Sequence, residues 1–214
     1  MNKTIQRTLA SAALAGVVTG AISITAAQAQ TQTKDTVRVR GTVERIDGAD
    51  FVIKTRDGAE MTLEMTDHPL FVAMVKSTMA DIKPGMFVGA TGIPQADGTE
   101  KAIEVHIFPE SMRGTGEGHY DWDLKPQSKM TNANVDKTET VAGVDGQMLS
   151  VKYKGGEKKV LVTPETAVVT YTTGDRADIK PGIPIFIGAA KKLPDGHLQT
   201  ARITYGKDGV TPPM

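Results

Sequence analysis

From Val37 onward, apolar and polar positions alternate through most of the chain. Val37, Val39, Gly41 and Val43 are interleaved with Arg38, Arg40 and Thr42, the two-residue period of a half-buried strand. Met61, Leu63 and Met65 alternate again, and Met86 to Ala90 and Ile103 to Ile107 supply two more short strands. Asp47-Gly48 and Asp57-Gly58 flank the run Phe51 to Lys54, which is the turn chemistry of β-hairpins. Further along, Val141 to Val144, Met148 to Tyr153, Lys159 to Val162, Ile183 to Ile187 and Ala201 to Tyr205 form a second set of five.

The two sets are copies. Val43, Ile46, Asp47, Gly48, Phe51, Ile53, Lys54 and Gly58 are matched 98 residues later by Val141, Val144, Asp145, Gly146, Leu149, Val151, Lys152 and Gly156. Ala80-Asp81-Ile82-Lys83-Pro84-Gly85 recurs letter for letter as Ala177-Asp178-Ile179-Lys180-Pro181-Gly182. Asp97-Gly98 is answered by Asp195-Gly196. Five short strands in each unit, with an insert before the fourth, predict an all-β fold of two tandem OB-like barrels, since closure removes exposed strand edges. The first barrel is expected over residues 36–107 and the second over 139–206, with 108–138 as an ordered linker and 207–214 as a tail. The insert reads both ways. Leu70, Met74 and Val75 share a helical face, whereas Val168, Val169, Thr170 and Tyr171 favour a strand.

The first 29 residues read as an address rather than as fold. Lys3 and Arg7 precede a nearly uncharged run from Leu9 to Ile24, and Ala27-Gln28-Ala29 is a small-x-small cleavage site, the layout of a secretory signal peptide. A periplasmic or secreted protein starting at Gln30 is expected, with no membrane span, because no later run reaches the roughly 18 apolar residues required. The remaining chain has 23 basic and 25 acidic residues, a net charge near −2. That balance and the 5% aromatic content argue against nucleic acid, which needs a positive groove and stacking platforms. The absence of Cys removes disulfides, thiolate metal sites and Cys nucleophiles.

The unusual residues sit in the linker. Residues 108–138 have no counterpart in the repeat, and they hold the single Trp together with Gly114, Gly116 and Gly118 at alternate positions. A connection of that length inside a compact protein is functional or disordered, and Tyr120 and Trp122 give it something to bury. Gly114-Thr115-Gly116-Glu117-Gly118-His119, Trp122-Asp123-Leu124 and Met130-Thr131-Asn132-Ala133 resemble an exported bacterial family of unknown function built from OB-like modules, whose members often carry the label metal ABC transporter permease. The resemblance extends over nearly all of the chain after residue 29, through both Lys-Pro-Gly turns to the closing Pro-Pro-Met. It implies a metal-related setting and no residue-level role. Where that family usually has a basic residue and a Pro between the His and the Trp, this chain has Tyr120 and Asp121, which sets Asp121 aside as a shared ligand.

In an extended segment Glu117, His119, Asp121 and Asp123 fall on one face. Adjacent members two apart could share one divalent cation, but Glu117 and Asp123 would lie about 20 Å apart unless the Gly-rich loop wraps. The expected function is a non-catalytic binding or interaction protein, with an unidentified protein or small molecule as partner. Its site would lie at the linker: Trp122 as an apolar wall, Arg113 as an anion contact, and His119 with Glu117 as polar contacts. The alternative is a divalent-metal-binding accessory protein using Glu117, His119 and Asp123. A hydrolase comes third, since no phosphate-cradling loop or nucleophile elbow is present. Met61, Met65 and His68 offer a thioether site for copper, but inward strand positions make the two Met gap-filling core residues. His106 is expected to point outward from its strand, and His197 to be a surface residue after a turn.

Overall fold

The computed structural model describes residues 36–141 and 146–214; the expected signal peptide and the second repeat's Val144-Asp145 lie outside the described residues. The alternating segments become strands except Val141 to Val144, where Val141 lies outside any strand, residues 142–145 are not described and the strand is Lys129–Thr140 instead. β1 (Thr36–Asp47), β2 (Asp50–Thr55) and β3 (Glu60–Lys76) form a meander, followed by the β4 (Phe87–Pro94) and β5 (Glu100–Ile107) hairpin. After β6 (Gly118–Asp121), a second meander runs through β7 (Lys129–Thr140), β8 (Gln147–Tyr153) and β9 (Gly156–Val162). Then come β10 (Ala167–Thr173) and the hairpin of β11 (Pro184–Lys192) and β12 (Leu198–Gly206). Three short 3-10 turns complete the described residues, and none of their helices is long and apolar enough to cross a membrane.

The all-β class is as expected, but the source of the strands in each barrel is not. The first ring of pairings runs β1, β2, β3, β12, β11 and back to β1. The second runs β7, β8, β9, β5, β4 and back to β7. Each ring is antiparallel except at one seam, β3 with β12 and β9 with β5. Residues 36–107 and 139–206 therefore do not close separate barrels: each repeat gives its first three strands to one ring and its last two to the other.

The physical reason lies in the insert. It is a strand in both copies, and the two copies pair with each other. Val72 to Lys76, the end of β3, runs antiparallel to Val169 to Thr173 of β10, with Met74 opposite Tyr171. Met74 and Tyr171 are 97 residues apart, the spacing of the repeat at this point, so the pairing is self-complementary about a pseudo-two-fold axis between them, as at an isologous interface. The end of β3 carries the chain out of the first ring along this seam, and the following strands enter the second. The repeated Ala-Asp-Ile-Lys-Pro-Gly segment makes the same crossing twice. Gly85 donates to Val135 of β7 at 2.8 Å, and Gly182 donates to Val43 of β1 at 2.8 Å. Ile82 enters the second core and Ile179 the first.

Both cores are accordingly mixed. Val39, Val43, Phe51, Ile53 and Leu63 pack with Ile185, Ile187, Leu198, Ile203 and Tyr205, and Met61 and Met65 border this core as gap fillers. Val88, Ala90, Val105 and Ile107 pack with Ala133, Val135, Leu149, Val151, Val160 and Val162. A smaller cluster of Met74, Val169, Phe186 and Met214 sits at the seam. The expected tail is part of it, since Met214 is 4% exposed and Lys207 donates its backbone N–H to Met74. The expected linker is also shorter than its bounds, because residues 129–138 belong to β7.

Candidate functional site

Gly114, Gly116 and Gly118 all have positive φ, a conformation that is cheap only for glycine. They turn the chain so that β6 can pair antiparallel with β7, His119 opposite Thr131 and Tyr120 opposite Met130. The strand alternation then divides the linker residues between two faces. Tyr120 and Trp122 turn toward the seam, where Trp122 packs against the Met74 and Phe186 cluster. The Arg38 guanidinium lies 4.0 Å from the centre of the Trp122 ring. The indole is thus spent inside the molecule as a structural pin, and its Nε1 is buried with no hydrogen-bond partner.

The other expected site residues go to different places. Arg113 holds both oxygens of Glu110, the Gly85 carbonyl at 3.0 Å and the Asn134 side chain, so its donors are already engaged. Glu117 accepts the Lys154 backbone N–H at 2.9 Å and ties down the turn between β8 and β9. Asp123 accepts from Arg40 at 2.8 Å and lies 3.5 Å from Arg38. Burial pushes its pKa up, but the Arg40 hydrogen bond and the two guanidinium charges outweigh this and hold it below the usual range. Asp121 pairs with Lys129. Glu117, His119 and Asp123 therefore each have their own partner within the fold and are not joined to one another.

His119 remains, and it heads a polar chain at the end of the second ring. Its Nδ1 lies 2.9 Å from Thr131 Oγ1 and 3.5 Å from Glu100 Oε1. Thr131 in turn donates to Glu100 Oε2 at 3.3 Å. With the Thr131 proton committed to Glu100, His119 must donate from Nδ1, which leaves a lone pair on Nε2. Nε2 has no partner among the described residues and is not among their buried orphan atoms. Burial is the main cause that pushes the His119 pKa down; Glu100 and Asp121 oppose it, and Lys158 and Lys129 add to it. Burial thus favours the neutral ring. Tyr153 lies over it, ring centres 6.3 Å apart and planes 25° apart. Glu100 is 1% exposed, and its Oε1 has no hydrogen bond.

A second buried polar group lies on the outer face of β4 and β5. Glu104 accepts from Thr91 at 2.6 Å, and His106 Nδ1 lies 3.1 Å from Glu104 Oε2. His106 does point away from the barrel interior, as its strand position predicts, yet it is 2% exposed. Phe108 and Tyr171 pack on it with ring centres at 4.6 and 5.7 Å. Gly89 makes room for it, because a Cβ there would fall 2.1 Å from His106 Nε2 and 2.5 Å from Asn132 Oδ1. This group is closed to solvent and acts as polar packing. Nothing in the sequence singled out Glu100 or Glu104, although each is an acid in an otherwise apolar-alternating strand, and that was the available signal. Comparison with family models, with curated proteins and with solved structures finds no match to the chain.

Proposed function

We propose that the protein is a non-catalytic binding module whose ligand site is the His119, Tyr153 and Lys158 end of the second ring. The observation that carries this reading is the His119 imidazole, oriented by a buried carboxylate and hydroxyl while its Nε2 acceptor stays unused. A carboxylate behind a histidine fixes the tautomer and raises basicity, which fits reception of a hydroxyl proton from a ligand. Lys158 is half-buried, has no ion-pair partner among the described residues and acts electrostatically on His119. The Tyr153 hydroxyl has no hydrogen-bond partner there either. An ammonium, a phenol and an imidazole acceptor suit a small hydroxylated anion of the sugar-acid type. Glu117 and Asp123 are engaged away from His119, with Lys154 and Arg40, so the linker metal reading has less support. Export to the periplasm or medium, read from the N-terminal residues, belongs to the same proposal.

D-glucuronate is a suitable probe, with glucose and acetate as controls that each lack one feature. Titration followed by NMR of the histidine and tyrosine rings should give saturable shifts at His119 and Tyr153 with a Kd of about 1 mM or tighter. His119→Ala and Lys158→Gln should each weaken binding while the strand amide spectrum is retained. Absence of saturation at about 10 mM glucuronate would remove the proposal.

A further inference from the structure

The hairpin turns between β4 and β5 and between β11 and β12 are built alike. Asp97 accepts the Thr99 backbone N–H at 3.0 Å, and Asp195 accepts the His197 backbone N–H at 3.0 Å. Gly98 and Gly196 both have positive φ. In the first copy the turn is self-contained, because the Thr99 hydroxyl also closes on Asp97 at 2.7 Å. In the second copy an imidazole replaces the hydroxyl and reaches off the turn. His197 Nδ1 lies 2.8 Å from Glu64 Oε1 and 3.5 Å from Asp195 Oδ2. Glu64 stands on β3 opposite Gln199 of β12, and the repeat places Val162 at its position in the other ring. A turn motif explains Asp97 and Asp195, but it explains neither the added imidazole nor the added carboxylate.

We propose that Glu64, Asp195 and His197 bind one divalent transition-metal ion of the zinc type, through His197 Nδ1 and one oxygen of each carboxylate, with water completing the shell. The three ligand atoms lie within 4.8 Å of one another. Around zinc, with ligand bonds of about 2.0–2.1 Å, tetrahedral neighbours sit about 3.3 Å apart, and the two distances from Nδ1 bracket that value. The side chains are 29%, 57% and 42% exposed for Glu64, Asp195 and His197, so an ion can enter and keep water. The charges acting on the imidazole are all negative: Glu64, whose hydrogen bond is the largest effect on it, then Asp195 and Asp50. His119, by contrast, has Lys158 and Lys129 acting on it as well as Glu100 and Asp121. Glu64 is on β3 and the other two ligands are on the hairpin leading into β12, so the ion would staple the parallel seam that closes the first ring.

Isothermal titration of the untagged full chain with zinc chloride tests this. One ion per chain should bind, and the melting temperature should rise with metal concentration. His197→Ala and Glu64→Gln should each weaken binding by about tenfold or more, the loss of one of three protein ligands, and leave the metal-free melting temperature within a few degrees of wild type. Magnesium should not compete, since it prefers oxygen ligands in an octahedron. No saturable zinc binding, or binding that survives both substitutions, overturns the assignment. His119→Ala should leave zinc binding unchanged, which separates this site from the glucuronate site. Zinc binding lost in His119→Ala and retained in His197→Ala would place the ion at the linker instead.

Discussion

The exchange of strands between repeats can be tested by covalent capture, because the chain has no Cys to interfere. Thr36 of β1 and Lys191 of β11 are direct antiparallel partners. Opposed Cα atoms in such a pair lie about 4.5–5.5 Å apart, inside the range a disulfide spans. A Thr36→Cys/Lys191→Cys variant should therefore oxidise readily. The bond would close a loop of 155 residues, for which the chain-entropy relation gives about 5 kcal/mol of stabilisation. At about 2–4 °C per kcal/mol for a chain of this size, the Tm should rise by about 10–20 °C on oxidation and fall back on reduction. In a tandem arrangement β1 would pair with β4 of its own repeat, so Thr36→Cys/Ile93→Cys is the matched control and should stay reduced. Thiol counting and migration on non-reducing gels read both variants. Oxidation of the control with no reaction of the first pair would refute the exchanged topology.

Other outcomes follow from single residues. Gly89→Ala forces a methyl into His106 and Asn132, and should cost about 3 kcal/mol in denaturant unfolding. Glu104→Ala strands His106 and the Thr91 hydroxyl in a dry site and should cost about 3–5 kcal/mol by the same assay. Trp122→Ala removes the half-buried pin under Arg38 and should cost about 2–3 kcal/mol, with near-wild-type stability counting against a structural role for the linker. The His119 imidazole should titrate below its ordinary value of 6.5 in an NMR pH series. Because its folded pKa is depressed, its contribution to stability is complete above 6.5 and is lost as pH falls from there through the folded value. As pH falls from 6.5 to the folded value, the melting temperature of wild type should therefore drop more steeply than that of His119→Ala.

The strands and the duplication were legible because both are local. Alternation marks Val39, Val43, Leu149 and Val151 as inward residues whichever ring they serve, and the Lys-Pro-Gly copies need only be read. The choice of partner was not legible, since β4 and β11 carry the same pattern and either satisfies β1. What decides between them is the pairing of Val72 to Lys76 with Val169 to Thr173, and the first of these stretches reads equally well as a helix. His119 was found from its Gly-rich setting. Glu100 and Glu104 do not stand out in the sequence, because an acid in an alternating strand reads as solvent-facing. A register shift between Thr91 and Gly92 separates the two onto different faces, and the Glu104 face is then covered by β10 and the ring of Phe108. Trp122 was expected to be a wall for a ligand, yet the chain's own Arg38 occupies its face.

The interleaving also constrains how the molecule can be made. As the chain emerges from its N-terminus, β1 to β3 have no closing partners until residues near 206 arrive. The second ring is complete once β9 has been synthesised, since its five strands all lie between Phe87 and Val162. The second ring can therefore assemble while the earlier meander still presents two open edges, and long-range pairing of this kind is slow and exposed to aggregation. A chain truncated after β10 would keep one finished ring attached to an unfinished sheet, so any factor that guards this protein during synthesis must shield its first segment for longest.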